Sequence, residues 1–239
     1  MAPSRAVDGS HPENRLLAAL PREDRERLVR RMDEVTLALG DEVYRATGQI
    51  RHVYFPRTGI ISKVIDMQDG ETVEVGTIGR EGLAGLPIFH HVERSPFRTY
   101  CQLPPCLCRR LPVDLFEQEV LKEGPLRLLL HRYSHARLCM TAQIAACNRL
   151  HPIEQRLARW LLTTRDRVGK DELNLTQQVL SEMLGVRRPS VSLAAGALQA
   201  RGLIRIGRGR VTIRDGERLE AACCECYRAV RDEFDQFLP

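Results

Sequence analysis

Leu175-Thr176-Gln177-Gln178-Val179-Leu180-Ser181-Glu182-Met183-Leu184-Gly185-Val186-Arg187-Arg188-Pro189-Ser190-Val191-Ser192-Leu193-Ala194-Ala195-Gly196-Ala197-Leu198 carries the densest local signal in the chain. Thr176 can cap a helix whose apolar residues Val179, Leu180, Met183 and Leu184 face inward. Gly185 then supplies a residue that tolerates φ > 0, so the chain can turn sharply. A second helix is expected from near Arg188. Pro189 falls early in it, where a missing N–H costs nothing, and Val191, Leu193, Ala194 and Leu198 are available for packing. This is the outline of a helix-turn-helix. Beyond it, 203–206 and 210–213 alternate like two strands around Gly207-Arg208-Gly209, which adds a wing.

The second helix exposes Arg187, Arg188, Ser190 and Ser192 at its beginning. In a DNA-bound helix-turn-helix, side chains there reach base edges, and a helix N-terminus can receive a phosphate. Thr176, Gln177, Pro189 and the wing residues Arg205, Arg208 and Arg210 complete the expected DNA-contacting set. Between 181 and 214 seven arginines face one acid, Glu182, so this segment exceeds the +5 excess of the whole chain. The rest of the chain is slightly acidic. A solvated basic face on a helical hairpin is the bland alternative; turn, wing and charge concentration together favour double-stranded DNA as partner.

The whole-chain numbers are less specific. With 239 residues, 43% hydrophobic and 28% charged, the chain can bury a sizeable core and is neither disordered nor collagenous. Only 5% is aromatic, so the core is aliphatic. All basic residues but Lys63, Lys122 and Lys170 are arginines, which suit bidentate phosphate or guanine contacts. No apolar run approaches the roughly 18 residues of a membrane span, and residues 1–9 lack a signal-peptide pattern, so a cytoplasmic chain without a membrane partner is expected. There the eight cysteines should be reduced thiols, with metal binding or redox sensing as the sharper alternatives to plain packing.

Upstream the grammar is different. Residues 1–14 read as a flexible tail, and Pro21 can open a short charged helix through Met32. Short β-rich pieces follow at 35–39, 49–55, 59–67, 72–78, 97–101 and 106–111, separated by turn signals such as Asp69-Gly70, a spacing that indicates an antiparallel roll. After Pro112 the pattern is helical to about Arg149. Leu126, Leu130, Tyr133, Arg137, Met140, Ile144 and Cys147 recur at steps of four and three, a seam that suits either a partner helix or the chain's own core. The expected fold is α+β: a cupin-like antiparallel jelly roll over 15–115, a central helix over 116–150 whose seam favours a dimerisation role, and a winged helix-turn-helix over 151–239.

This order resembles the Crp/Fnr superfamily of bacterial transcription regulators. The 184–192 segment looks like that family's helix-turn-helix signature, and Val53-Tyr54-Phe55-Pro56 with Gly59 and Ser62 is similar to its β-roll. The resemblance runs from about Leu16 to Tyr227. It implies a homodimeric, sequence-specific DNA-binding regulator, not an enzyme, with RNA polymerase as a further partner. Arg188 matches an arginine that in the family contacts guanine. Pro189 stands where the cyclic-AMP-responsive members have an acid, and Leu193 where they have an arginine, so a different operator is implied.

For the effector, the family's cyclic-nucleotide cassette pairs a Gly-Glu with a following Arg-Ser. Glu81 and Gly82 lie in the expected neighbourhood, and Arg94-Ser95 and Arg98-Thr99 compete for the phosphate. Both pairs lie farther from Glu81 than the family pattern has them, and Pro96 follows where alanine is usual. The cofactor is left open between a cyclic nucleotide, a metal and haem. The iron–sulfur relatives use N-terminal cysteines, and here none precedes Cys101. Cys101, Cys106 and Cys108 form one cysteine group, and Cys223, Cys224 and Cys226, read as helical, form another; no metal site is assigned to either. Cys147 could pair across a dimer axis. His90-His91 reads as an exposed polar pair. The alternative to a regulator is a thiol- or metal-dependent redox-responsive protein or enzyme.

Overall fold

The computed structural model describes residues 12–239. Along the chain run α1 (Arg15–Ala18), α2 (Arg22–Val29), β1 (Asp33–Leu37), β2 (Glu42–Tyr44), β3 (His52–Pro56), β4 (Ile60–Asp66), β5 (Thr72–Ile78), α3 (Leu86–Phe89), β6 (Arg98–Leu103) and β7 (Cys106–Pro112). They are followed by α4 (Val113–Leu121), α5 (Pro125–Leu150), α6 (Ile153–Val168), β8 (Glu172–Leu173), α7 (Gln177–Leu184), α8 (Arg188–Ala200), β9 (Ile204–Gly207), β10 (Arg210–Ile213), α9 (Gly216–Ala221) and α10 (Cys226–Asp235).

The chain divides into two compact units. The first takes the described residues up to Lys63, Gly76–His135 and Phe234–Pro239; the second takes Val64–Val75 and Ala136–Glu233. The division falls inside α5, between His135 and Ala136.

In the first unit an antiparallel sheet of order β1-β7-β3 accompanies one of order β2-β6-β4-β5, whose β4–β5 tip belongs to the second unit. Val53, Phe55, Ile60, Ile61 and Leu111 are buried in this β-roll. The tail reading fails at its end. Asn14 is fully buried: its Oδ1 accepts from the Leu17 N–H at 3.2 Å to cap α1, and its Nδ2 donates to the Pro56 and Gly82 carbonyls at 2.9 and 2.8 Å. Residues 1–11 lie outside the described residues.

The single central helix expected over 116–150 is two helices, interrupted where Glu123 takes φ 54° before Gly124. The seam is largely buried within the chain. Leu126, Leu130, Tyr133, Arg137, Met140 and Cys147 are buried in their own chain and Ile144 is half-buried. Tyr133 explains one part of it: its hydroxyl accepts from the Leu83 N–H at 3.2 Å, and its ring lies 6.1 Å from that of Phe234. A different line of α5, Leu128, His135, Leu138, Ala142 and Ala145, is exposed at the same heptad-like spacing.

Candidate nucleic-acid interface

The second unit builds the helix-turn-helix on α6. Leu157 and Leu161 of α6, Leu180, Met183 and Leu184 of α7, and Val191, Ala195 and Leu198 of α8 are all buried. The Thr176 hydroxyl accepts from the Val179 N–H at 3.2 Å, the cap its position suggests. Gly185 is left-handed at φ 60°, ψ 45°, and the Val186 N–H reaches back to the Ser181 carbonyl at 3.1 Å, which closes α7. The buried Arg156 of α6 donates through Nη2 to the Leu184 carbonyl, one of those the helix end leaves over.

Arg187 is extended and opens α8, with Pro189 in its first turn. The buried face of α8 forces the other outward, and Arg187, Arg188, Pro189 and Ser192 are exposed, while Ser190 is half-buried. Leu193 departs from its expected packing role: it is 77% exposed, on the same outer face as Ser192. The Ser192 hydroxyl lies 3.1 Å from both Gln177 Oε1 and the Arg188 carbonyl, which ties the starts of the two helices together.

The wing is a three-stranded antiparallel sheet, β8-β10-β9; the two-residue β8 was not legible in the sequence. Ile204, Val211 and Ile213 point inward, while Arg205, Arg208, Arg210 and Arg214 are exposed. Gln199 of α8 accepts from the Ile206 N–H at 2.8 Å and so fixes the wing against the second helix. Arg210 is paired with Glu172 at 3.1 Å and Arg201 with Glu154 at 2.7 Å. Among the described residues Arg187, Arg188, Arg205, Arg208 and Arg214 join no ion pair, so five guanidinium groups on this face keep their charge for a ligand.

The expected effector residues lie in the first unit. Glu81 is buried and its Oε1 accepts from the Gly79 N–H at 3.2 Å within its own loop. Gly82 leaves room for Tyr133, whose hydroxyl an added Cβ would strike. Arg94 is exposed and donates to the Thr47 carbonyl at 3.2 Å, and buried Ser95 accepts from the Phe97 N–H at 3.2 Å. Arg98 lies over the Tyr100 ring at 5.0 Å, and the neighbouring Thr99 is fully buried in β6. A cleft of about 570 Å³ in this unit is lined by Phe89, His90, Phe116, Val120 and His131 among others, and by none of these six. His90 and His91 are exposed at the end of α3 rather than on a strand, and the His90 Nε2 meets Ser134 Oγ at 2.8 Å.

All eight cysteines are free thiols. Cys101, Cys106 and Cys108 are buried in the β-roll; burial pushes Cys108 up to about 12, and Cys101 and burial together push Cys106 upward. Cys223 and Cys224 precede α10 instead of lying in it, and only Cys226 is helical, so no shared helix face exists. Burial pushes Cys223 up to about 12 and raises Cys224 and Cys226. Cys147 does not face outward for a two-fold pairing: it is fully buried, with its sulfur 3.6 Å from that of Cys224. Burial opposes its ionisation, but the Arg159 charge and hydrogen bonds from His151, Cys224 and Arg159 hold its thiol below the ordinary value. His151 joins this group, a member the sequence reading missed; its four-residue offset from Cys147 at a helix end was the available signal.

Residues 155–222 match the family model of the Crp-like helix-turn-helix domain. No curated protein matches the sequence. Among solved structures, FixK2 from Bradyrhizobium japonicum is 17% identical with a TM-score of 0.68, covering 81% of this chain and 98% of its own. CLP, the c-di-GMP-responsive global regulator of Xanthomonas campestris, is 17% identical at a TM-score of 0.65, covering 81% and 99%. A CRP-family transcriptional regulator from Thermus thermophilus is 17% identical at 0.65, covering 80% and 96%. The chain therefore has the Crp/Fnr regulator fold, with a Crp-like helix-turn-helix domain at 155–222. No helix among the described residues is long and apolar enough to cross a membrane.

Proposed function

We propose that the protein is a sequence-specific, DNA-binding transcription regulator, not an enzyme, that acts as a homodimer in the cytoplasm. The exposed, unpaired arginines at the start of α8 and on the wing carry this reading. Arg188 reads a base edge in the major groove, and Ser192, one turn further on, and Leu193 extend the contact, the latter with an apolar surface suited to a thymine methyl. Thr176, Gln177 and Ser190 contact backbone phosphates, and Arg205, Arg208 and Arg210 engage phosphate or the minor groove. Dimerisation uses the exposed line Leu128, His135, Leu138, Ala142 and Ala145 in place of the buried seam.

The test is selection of duplexes bound by the full chain from a random-sequence pool. A two-fold-related pair of half-sites about one helical turn apart is expected. Recovery of no enriched sequence, with binding no tighter than to bulk DNA, overturns the reading.

A further inference from the structure

Cys147 and His151 lie four residues apart where α5 ends, and the His151 N–H closes the last turn on the Cys147 carbonyl at 3.0 Å. Both side chains therefore project on one side of the helix end. Cys224 and Cys226, from the turn that opens α10, come to the same place. The donor atoms of all four residues lie within 4.8 Å of one another, and the three cysteines are buried. From these donors we infer that the protein holds a single thiophilic divalent ion, zinc in its ordinary form, bound by Cys147, His151, Cys224 and Cys226.

Two separations within the group match the edges of a mononuclear tetrahedral site. Zinc–sulfur and zinc–nitrogen bonds of about 2.3 and 2.0 Å set tetrahedral edges of about 3.8 Å between sulfurs and about 3.6 Å between sulfur and nitrogen. The Cys147 and Cys224 sulfurs are 3.6 Å apart, and Cys226 Sγ is 3.5 Å from His151 Nδ1. Four protein donors close the coordination sphere, the pattern of a structural ion rather than a catalytic one.

The surroundings supply what such an ion needs. His151 Nε2 faces Glu225 at 3.3 Å, so the carboxylate fixes the tautomer that leaves Nδ1 free to ligate. Gln143 Nε2 points at Cys226 Sγ at 3.1 Å, the donor expected beside a metal-bound thiolate. Three thiolates, a neutral imidazole and a divalent cation leave one net negative charge. Arg159, buried on α6, lies against Cys147 and matches it. Plain packing of small apolar residues does not account for a buried guanidinium set against sulfur, because an uncompensated buried charge is costly. Cys223 is not a ligand; its sulfur turns to the Gln155 carbonyl at 3.9 Å. The bound ion would pin the start of α10 to the end of α5 within one unit.

The experiment uses the full chain purified under reducing conditions, followed by metal analysis and cobalt substitution, with no DNA present. About one zinc per chain is expected, and cobalt should give the intense visible bands and sulfur-to-metal charge transfer of a tetrahedral thiolate site. Cys224→Ser and His151→Ala should lower retained metal about 10-fold or more, while Cys108→Ser in β7 retains it. Should the first two variants fail to fold, chelation of the unmodified protein takes their place: zinc release should lower the Tm, and added zinc should restore it. Absence of stoichiometric metal both after isolation and after reconstitution with zinc, an octahedral cobalt spectrum, or an iron–sulfur chromophore overturns the inference. So does full metal content in folded Cys224→Ser, or a Tm indifferent to chelation.

Discussion

Arg188 and Ser192 lie one helical turn apart on the outer face of α8, and no acid among the described residues competes for the guanidinium. Arg188→Ala should therefore weaken operator binding by about 1–3 kcal/mol, roughly 5- to 150-fold, while random DNA is affected far less. Arg208→Ala, at the wing tip, should weaken both alike and flatten the salt dependence by about one counterion. Titration of both duplexes at several salt concentrations separates the two roles; equal losses for Arg188→Ala would remove its base-reading part. Gly82 belongs to the same scale with the opposite lesson. Its Cβ would press on the Tyr133 ring and hydroxyl, so Gly82→Ala should cost about 1–3 kcal/mol in urea unfolding, an overpacking penalty that needs no ligand. The helix-turn-helix residues were legible because cap, left-handed glycine and early proline are local signals. The packing demand on Gly82 was not legible, because the side chain that requires a glycine there comes from far along the chain, on α5.

At the scale of elements, α2 and α4 are joined by one buried carboxylate. Glu119 accepts from Lys122 at 2.6 Å, Arg31 at 2.7 Å and Arg27 at 3.3 Å. Burial alone would raise its pKa, but these three cations hold it below the ordinary carboxylate value. A carboxyl depressed by folding stabilises at pH values above its unfolded pKa, about 4.3, and loses that contribution as pH falls through the folded value. Glu119→Gln should thus lower the unfolding free energy at about pH 7 by about 1–3 kcal/mol, and the gap should narrow below about pH 4. Chemical denaturation at both pH values checks this; a gap independent of pH would show that packing, not charge, is lost. The sequence placed β3 through β7 to within a few residues because period-two patterns and turn signals are strong there. It missed β2, β8 and α3, each two to four residues long and too short to show a period. For α5 the periodicity was real, but period identifies a buried face without naming what buries it. The cysteine and histidine cluster was hidden for a related reason, since its two halves come from opposite ends of the second unit's chain.

For the whole molecule, the question is which face of α5 meets a second copy. Burial inside the chain removes the line through Tyr133 and Met140, whereas Leu138 is 68% exposed and Leu128 is 56% exposed on the line with His135, Ala142 and Ala145. Small alanines along the far half allow two helices to approach closely, and an exposed leucine gains by burial in such a seam. A regulator that binds two half-sites gains affinity from the second only while the dimer holds, because the linked head binds at high effective concentration. Leu138→Glu should therefore give a monomer in sedimentation or light scattering, with a Tm close to that of its subunit fold and operator affinity reduced about 100-fold or more, while a single half-site duplex is bound nearly as before. Met140→Ala, on the buried line, should instead lower the unfolding free energy by about 2–5 kcal/mol and leave the oligomeric state unchanged, since it opens a cavity in the chain's own core. A dimer that survives Leu138→Glu would move the interface off this helix face and leave the DNA-reading head untouched.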